Sequence, residues 1–168
     1  SVNTKEQAII AQASGADRLE VTNQELFGGV TPSIEDVTEV ITHTDLPCFI
    51  QLRPTVERWS LTDEEFNTIL HVIELAKIAG VEGIVVGALK DGKVDREKIE
   101  KIIEVKGNLK LSFNHAIDSA FNYEEELEYL INNPGIDWII TNGSTSKIFD
   151  GISRLLPYKE KLKGRLII

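Results

Sequence analysis

Four side chains with acid–base or anion-binding chemistry follow short apolar segments of this sequence. Glu20 could act as a general base, and the planar guanidinium of Arg53 could hold a carboxylate or a phosphate. His115 could act as a general base or as a metal ligand, and Asp118, three residues later, could orient its imidazole. We therefore treat these four residues as candidate catalytic groups.

Small and amide residues near the same segments are candidates for ligand binding. Gly28 and Gly29 could bring backbone N–H groups close to an anion. Asn114 directly precedes His115, and the other candidates, Thr141, Asn142 and Gly143, follow a further apolar segment. Purely structural interpretations stay open: Glu20 and Arg53 could pair with each other, and Asp118 could cap a helix.

The elements that must position these residues alternate between short apolar runs and amphipathic runs. The apolar runs predict strands at 18–21, 48–52, 83–86, 109–113, 137–141 and 165–168. Between them, Ser33, Thr62 and Asp95 are typical residues for helix N-caps, and Thr62 with Glu65 forms a capping-box pattern. Gly80 is placed to end the helix that Thr62 begins.

Strict alternation of strands and helices predicts an α/β fold with a parallel sheet. No G-x-G-x-x-G pattern follows any predicted strand, which argues against a dinucleotide site of that kind. A TIM-type (β/α) barrel has eight strands in roughly 250 residues. We expect residues 1–168 to form one such barrel domain, incomplete because its first strand and its last βα unit are missing. In these barrels the site lies at the carboxyl ends of the strands.

Composition narrows the function classes. The chain has a formal net charge of −9 and a pI near 4.9, which argues against nucleic-acid partners. It contains no apolar stretch of membrane-spanning length, so we expect no membrane partner. Cys48 is its one cysteine, which excludes an intrachain disulfide and favours a cytoplasmic location.

Several segments together resemble the CutC copper-homeostasis family. They are GADRLE at 15–20, GGVTPS at 28–33, RP at 53–54, TDEEF at 62–66, GVEGIVVG at 80–87, DGKVD at 91–95 and AID at 116–118. Their order and spacing extend through nearly the whole chain. The resemblance implies a TIM-like barrel, a cytoplasmic protein, a role in copper homeostasis with Cu(I) as its cofactor or cargo, and homodimers or larger homo-oligomers.

The sequence departs from the family pattern at three places. Val21 and Thr22 stand where the family has a cysteine, and Thr55 replaces a second arginine. Asn114 occupies the family's histidine position, so that His115 is shifted by one residue, which in an extended segment would turn its side chain to the opposite face. Cu(I) prefers thiolate and thioether ligands. With one thiol and no methionine, the sequence assigns no metal ligands.

Three functions are therefore open. The first is the copper-homeostasis role that the resemblance implies. The second is a barrel enzyme or binder for a small anionic molecule, such as a phosphorylated or carboxylate metabolite, held by Arg53 with Glu20, Asp118 and His115 as acid–base groups. The third is a degenerate barrel with a scaffold role.

Overall fold

Parallel strands alternate with helices in the computed structural model, which describes residues 1–23, 29–145, 148–162 and 164–167. The main sheet contains β1 (Leu19–Val21), β2 (Cys48–Leu52), β3 (Gly83–Val86), β6 (Lys110–Phe113), β7 (Trp138–Ile140) and β8 (Leu166–Ile167). A separate hairpin pairs β4 (Leu89–Lys90) with β5 (Lys93–Val94). The six predicted strands are thus confirmed as one sheet.

The helices begin at the capping residues that the sequence indicates. The α-helices are α1 (Lys5–Ala13), α2 (Ile34–Thr42), α3 (Asp63–Ala79), α4 (Arg96–Val105), α5 (Tyr123–Asn132), α6 (Ile148–Leu155) and α7 (Lys159–Leu162). Ser33 and Asp95 cap α2 and α4, and Thr62 forms the complete capping box with Glu65 at the start of α3. Gly80 ends α3 in the left-handed conformation, at φ 83°. Among the described helices, none is both long and apolar enough to cross a membrane.

All strands of the main sheet run parallel, in the order β1-β2-β3-β6-β7-β8. The order equals the chain order, as in a barrel built by successive βα units. At the outer edge of β1, Val2 forms a single parallel bridge with Val21. The structure is therefore an α/β fold with a curled half-barrel sheet. That further strands complete a barrel stays a prediction.

The two faces of the sheet bury different side chains. Alternate residues such as Ile50, Ile84 and Leu111 face the helices and belong to the main core. Residues of the other parity form a second, smaller cluster on the inner face, made by Phe49, Val85 and Ile140 with Trp138 and Ile167 packed against them. Polar residues of this same parity continue the inner face toward the carboxyl ends of the strands, where they surround a cavity.

Candidate functional site

A cavity of about 490 Å³ opens at the carboxyl ends of the strands. Four predicted site residues line it, namely Glu20, Arg53, Asn114 and His115. Further lining comes from Ser1, Arg18, Gln51, Trp59, Ile140 and Ile167. The sheet thus brings residues from β1, β2, β6 and the segments after them into one polar pocket.

Two buried amide side chains of the cavity have polar atoms without partners. Gln51 is 5% exposed and Asn114 is 3% exposed, yet Gln51 Oε1 and Asn114 Nδ2 make no hydrogen bond. The orientation of Asn114 is fixed, because its Oδ1 accepts a hydrogen bond of 3.0 Å from the Ala116 N–H. Buried polar groups of folded proteins are nearly always satisfied, so these two side chains are candidates for contact with a polar molecule in the cavity.

Arg18 and Glu20 stand on the same face of β1, because they are two residues apart. Neither side chain forms a hydrogen bond or a salt bridge within the part of the chain that the structure describes. Burial raises the pKa of the Glu20 carboxyl, an effect partly offset by the positive charges of Arg18 and His115. Burial also lowers the pKa of the Arg18 guanidinium, against the opposing effect of Glu20.

Arg53 follows β2 and is held at the rim of the cavity. Its Nε donates to the Thr55 carbonyl at 3.0 Å and one of its terminal nitrogens donates to the Val56 carbonyl at 2.9 Å. The guanidinium also lies 3.9 Å from the centre of the Trp59 ring, and Trp59 Nε1 donates to Ser119 Oγ. These contacts orient the guanidinium. No salt bridge or hydrogen bond joins Glu20 and Arg53 among the described residues, so the structural pairing that the sequence left open is not observed.

His115 lies in a short 3₁₀ helix, His115–Ser119, that Asn114 caps. It therefore does not occupy an extended segment, and it lines the cavity together with Asn114 instead of turning away from it. This corrects the expectation from the one-residue shift. Its Nδ1 is 2.9 Å from Asp118 Oδ2, and its side chain is 52% exposed. When Nδ1 carries the proton that Asp118 accepts, Nε2 is left to accept or release a proton.

Asp118 is an anchor for the segment after β7 as well as for His115. Its carboxylate accepts hydrogen bonds from the Thr141 hydroxyl, from the Asn142 N–H at 3.1 Å and from the Ser144 N–H at 2.8 Å. Burial alone would raise the pKa of Asp118, but the hydrogen bonds from these groups and His115 outweigh it and lower the pKa. Asp118 is therefore a partly buried carboxylate whose ionised form is favoured.

Residues 141–143, which the sequence predicts to bind a ligand, form hydrogen bonds with Asp118 and with one another. Thr141 Oγ1 lies 2.9 Å from the Tyr123 hydroxyl and accepts a hydrogen bond of 2.9 Å from the Gly143 N–H. The N–H groups of Asn142 and Gly143 are thus already used inside the protein, and neither residue lines the cavity. Gly143 has a φ of 77°, and Gly151 lies so close that an added Cβ at 143 would stand 2.6 Å from it.

Of Gly28 and Gly29, the two glycines predicted to bind an anion, the structure describes Gly29. Gly28 lies outside the described residues. Gly29 has a φ of 68° and packs against Thr22, since an added Cβ would lie 2.3 Å from Thr22 Oγ1. The lining of the cavity does not include Gly29. The positive φ and this close approach together account for a glycine at this position.

Sequence reasoning missed Arg18 and Trp59 as residues of the site. Arg18 was assigned only to a strand, although its spacing from Glu20 places both on one face. Trp59 lies in a loop with no regular pattern, and only the structure shows that it stacks on Arg53.

Fold and site together define a class: an α/β protein with a curled parallel half-barrel sheet and a polar cavity at the carboxyl ends of its strands. A family model described as the CutC family matches residues 1–168. A CutC family protein of Histophilus somni is 32% identical over 168 residues, which is 99% of this chain and 69% of the relative. The human copper homeostasis protein cutC homolog is 30% identical over 168 residues, or 99% of this chain and 61% of the relative.

A solved CutC structure from Streptococcus agalactiae matches the fold with a TM-score of 0.87 at 20% sequence identity, covering 98% of this chain and 82% of that one. At this identity the match shows the fold alone. From the family model and the curated relatives, the chain belongs to the CutC family. It spans 61% of the human relative's length, so what the whole protein does is a matter for proposal.

Copper does not fit the residues of this chain. Cys48 is the one thiol of the sequence, and there is no methionine. Cys48 is 4% exposed at the amino end of β2, away from the cavity, and burial raises the pKa of its thiol to about 11. Within the described ranges, no cluster of three or more His, Cys, Asp or Glu side chains could hold a metal ion. The soft, ionised ligands that Cu(I) prefers are not assembled here.

Proposed function

We propose that this chain binds a small anionic molecule, of the carboxylate or phosphate class, in the cavity at the carboxyl ends of its strands. One observation carries the proposal: several polar side chains converge on this cavity without partners of their own. Asn114 Nδ2 and Gln51 Oε1 are buried and unsatisfied, and Arg18 offers a guanidinium that has no hydrogen-bond acceptor within the described ranges. The lining carries two guanidinium groups, those of Arg18 and Arg53, against the one carboxyl of Glu20, which favours an anionic ligand.

The same cavity holds two groups suited to moving a proton. Glu20 has a raised pKa, which makes it a carboxyl that takes up a proton more readily than an exposed one. His115 is held by Asp118 so that Nε2 is available. Titratable groups whose surroundings differ in this way are typical of acid–base sites. We therefore propose proton transfer to and from the bound molecule as the chemistry of the site.

We propose that the link of this chain to copper homeostasis is a cellular role and not the binding of copper itself. The human relative carries that name, and we extend it to this chain as a role that does not depend on Cu(I) chelation by the described residues. A Cu(I) titration against a competing chelator tests this directly. We expect the wild-type chain and Cys48→Ser to compete equally weakly, whereas a stoichiometric site lost in Cys48→Ser would contradict it.

Calorimetric titration with acetate and inorganic phosphate tests anion binding. We expect saturable binding by the wild-type chain and a loss of at least tenfold in affinity for Arg53→Gln. Arg58→Gln is the matched control, because Arg58 is an exposed arginine paired with Glu65 and does not line the cavity. Absence of binding, or equal effects of the two substitutions, would contradict the proposal.

Gln51→Leu separates binding from stability. Gln51 is buried and its Oε1 has no hydrogen-bond partner in the described part of the chain, so leucine at this position should leave the melting temperature unchanged or raise it. Anion affinity should nevertheless fall. Unchanged affinity would mean that the unsatisfied carboxamide has no part in binding, which would contradict its assignment to the site.

A further inference from the structure

Arg18 is held in a fixed orientation on the inner face of the sheet by two aromatic rings. The carbon at the centre of its guanidinium lies 4.9 Å from the ring centre of Phe49 and 4.9 Å from that of Trp138. The two rings pack edge to face, with centroids 5.6 Å apart and planes at 80°. Cation–π contacts of this kind stabilise the guanidinium without taking up its N–H groups as donors to an oxygen acceptor.

The N–H groups of Arg18 have no acceptor among the described residues. Arg18 forms neither a hydrogen bond nor a salt bridge there, and its guanidinium is partly buried on the cavity wall. An arginine that is desolvated, oriented and free of acceptors is a ready receptor for a planar or tetrahedral anion. Nearby, Gln51 and Asn114 supply the unsatisfied buried amides described above.

Arg18 and Arg53 reach the cavity from different levels. Leu19, the residue after Arg18, pairs with Cys48 at the start of β2, and its N–H donates to the Pro47 carbonyl. Arg53 comes at the far end of β2, past Leu52. At a rise of about 3.3 Å per residue, the two arginine backbones are separated by roughly 20 Å along the strand direction. Their long side chains nevertheless line one cavity, which Arg18 reaches from the start of β1 and Arg53 from the end of β2.

We propose that the ligand carries two anionic groups on a short spacer, one bound by Arg18 on the inner face and the other by Arg53 at the rim. Gln51 and Asn114 then face the spacer between them. The chemical class is a dicarboxylate or a phosphorylated carboxylic acid. This inference rests on the proposed anion site and adds to it a second, inner subsite and the two-ended character of the ligand.

Titration with paired probes tests the inner subsite. Acetate carries one anionic group, sulfate carries two charges on one group, and succinate, glutarate and 3-phosphoglycerate carry two separate groups. For the wild-type chain we expect at least one two-group probe to bind tenfold more tightly than acetate and sulfate. For Arg18→Gln we expect the affinity for that probe to fall at least tenfold and the affinity for acetate to stay within twofold.

Arg18→Lys guards against a misfolded variant, because lysine keeps the charge and the contact with the rings but lacks the planar fork. It should melt close to the wild-type temperature and bind the two-group probe with intermediate affinity. If Arg18→Gln and Arg18→Lys both bind that probe as the wild type does, while Arg53→Gln does not, the inner subsite is refuted and the anion site stands. If no probe binds the wild-type chain, both proposals fall.

Discussion

Replacing Asp118 by asparagine removes the charge that holds two strand-end segments together. In the wild-type chain, Oδ1 accepts from the Thr141 hydroxyl and the Ser144 N–H, and Oδ2 accepts from His115 Nδ1 and the Asn142 N–H. Asparagine has nearly the same shape but has only one carbonyl oxygen. Whichever way its amide turns, either the Ser144 N–H or the Asn142 N–H faces another donor.

The expected loss follows from these contacts. A buried N–H without an acceptor costs about 1–3 kcal/mol, and hydrogen bonds to a neutral acceptor are about half as strong as those to a carboxylate. The His115 bond adds little, because that side chain is half exposed. Because these hydrogen bonds are only part-buried, we expect Asp118→Asn to lower the free energy of unfolding by about 2 kcal/mol, which in a chain of this length lowers the melting temperature by roughly 4–8 °C.

The pH dependence gives a second check with a definite sign. The folded-state pKa of Asp118 is lowered, so its stabilising effect is present above the pKa of an unfolded aspartate, about 3.9, and is lost as the pH falls through the folded-state value. Denaturation of wild type and Asp118→Asn at pH 7 and in acid should thus give a large difference that shrinks in acid. Asp45→Asn, at an exposed carboxylate, is the control. A loss below 1 kcal/mol at pH 7, or a difference independent of pH, would refute the reasoning.

Three further predictions concern single side chains. Glu20→Gln should stabilise the chain at pH 8 but not at pH 4, because burial raises the pKa of the Glu20 carboxyl and the wild type loses stability as the pH rises through that pKa. Melting temperatures of the wild type and the variant that change in parallel with pH would contradict this. Gly87→Ala should destabilise by about 1–3 kcal/mol in urea titrations, since its methyl group would lie 2.0 Å from Asn114 Oδ1; a neutral result would contradict the close packing. Cys48 should resist iodoacetamide at pH 8 until the chain is unfolded, because burial raises the thiol pKa to about 11; rapid alkylation of the native chain would be the contrary result.

Much of the fold follows from local signals in the sequence. The strands at 48–52 and 83–86 are buried apolar runs, and the structure gives them with the predicted bounds. The capping box at Thr62 and the caps at Ser33 and Asp95 begin their helices as predicted. These signals depend on neighbouring residues only, which is why the sequence suffices to find them.

The candidate site was harder to predict because its geometry depends on contacts between distant segments. Nothing local shows that Asp118 meets Asn142 and Ser144, 24 and 26 residues later. The 3₁₀ helix after Asn114 is too short for a periodic pattern, so the position of His115 was wrongly expected. The inward position of Arg18, in contrast, follows from strand parity with Glu20 and could have been found.

Side-chain amide resonances of Asn114 and Gln51 offer the most direct view of the cavity. In a ¹⁵N-correlated NMR titration with succinate, both amide signals should shift saturably with one common dissociation constant. The amide of Asn133 should not move, because it donates to Glu100 and does not line the cavity. Stationary Asn114 and Gln51 signals up to saturating succinate, 3-phosphoglycerate and phosphate would contradict an anion site at the carboxyl ends of these strands.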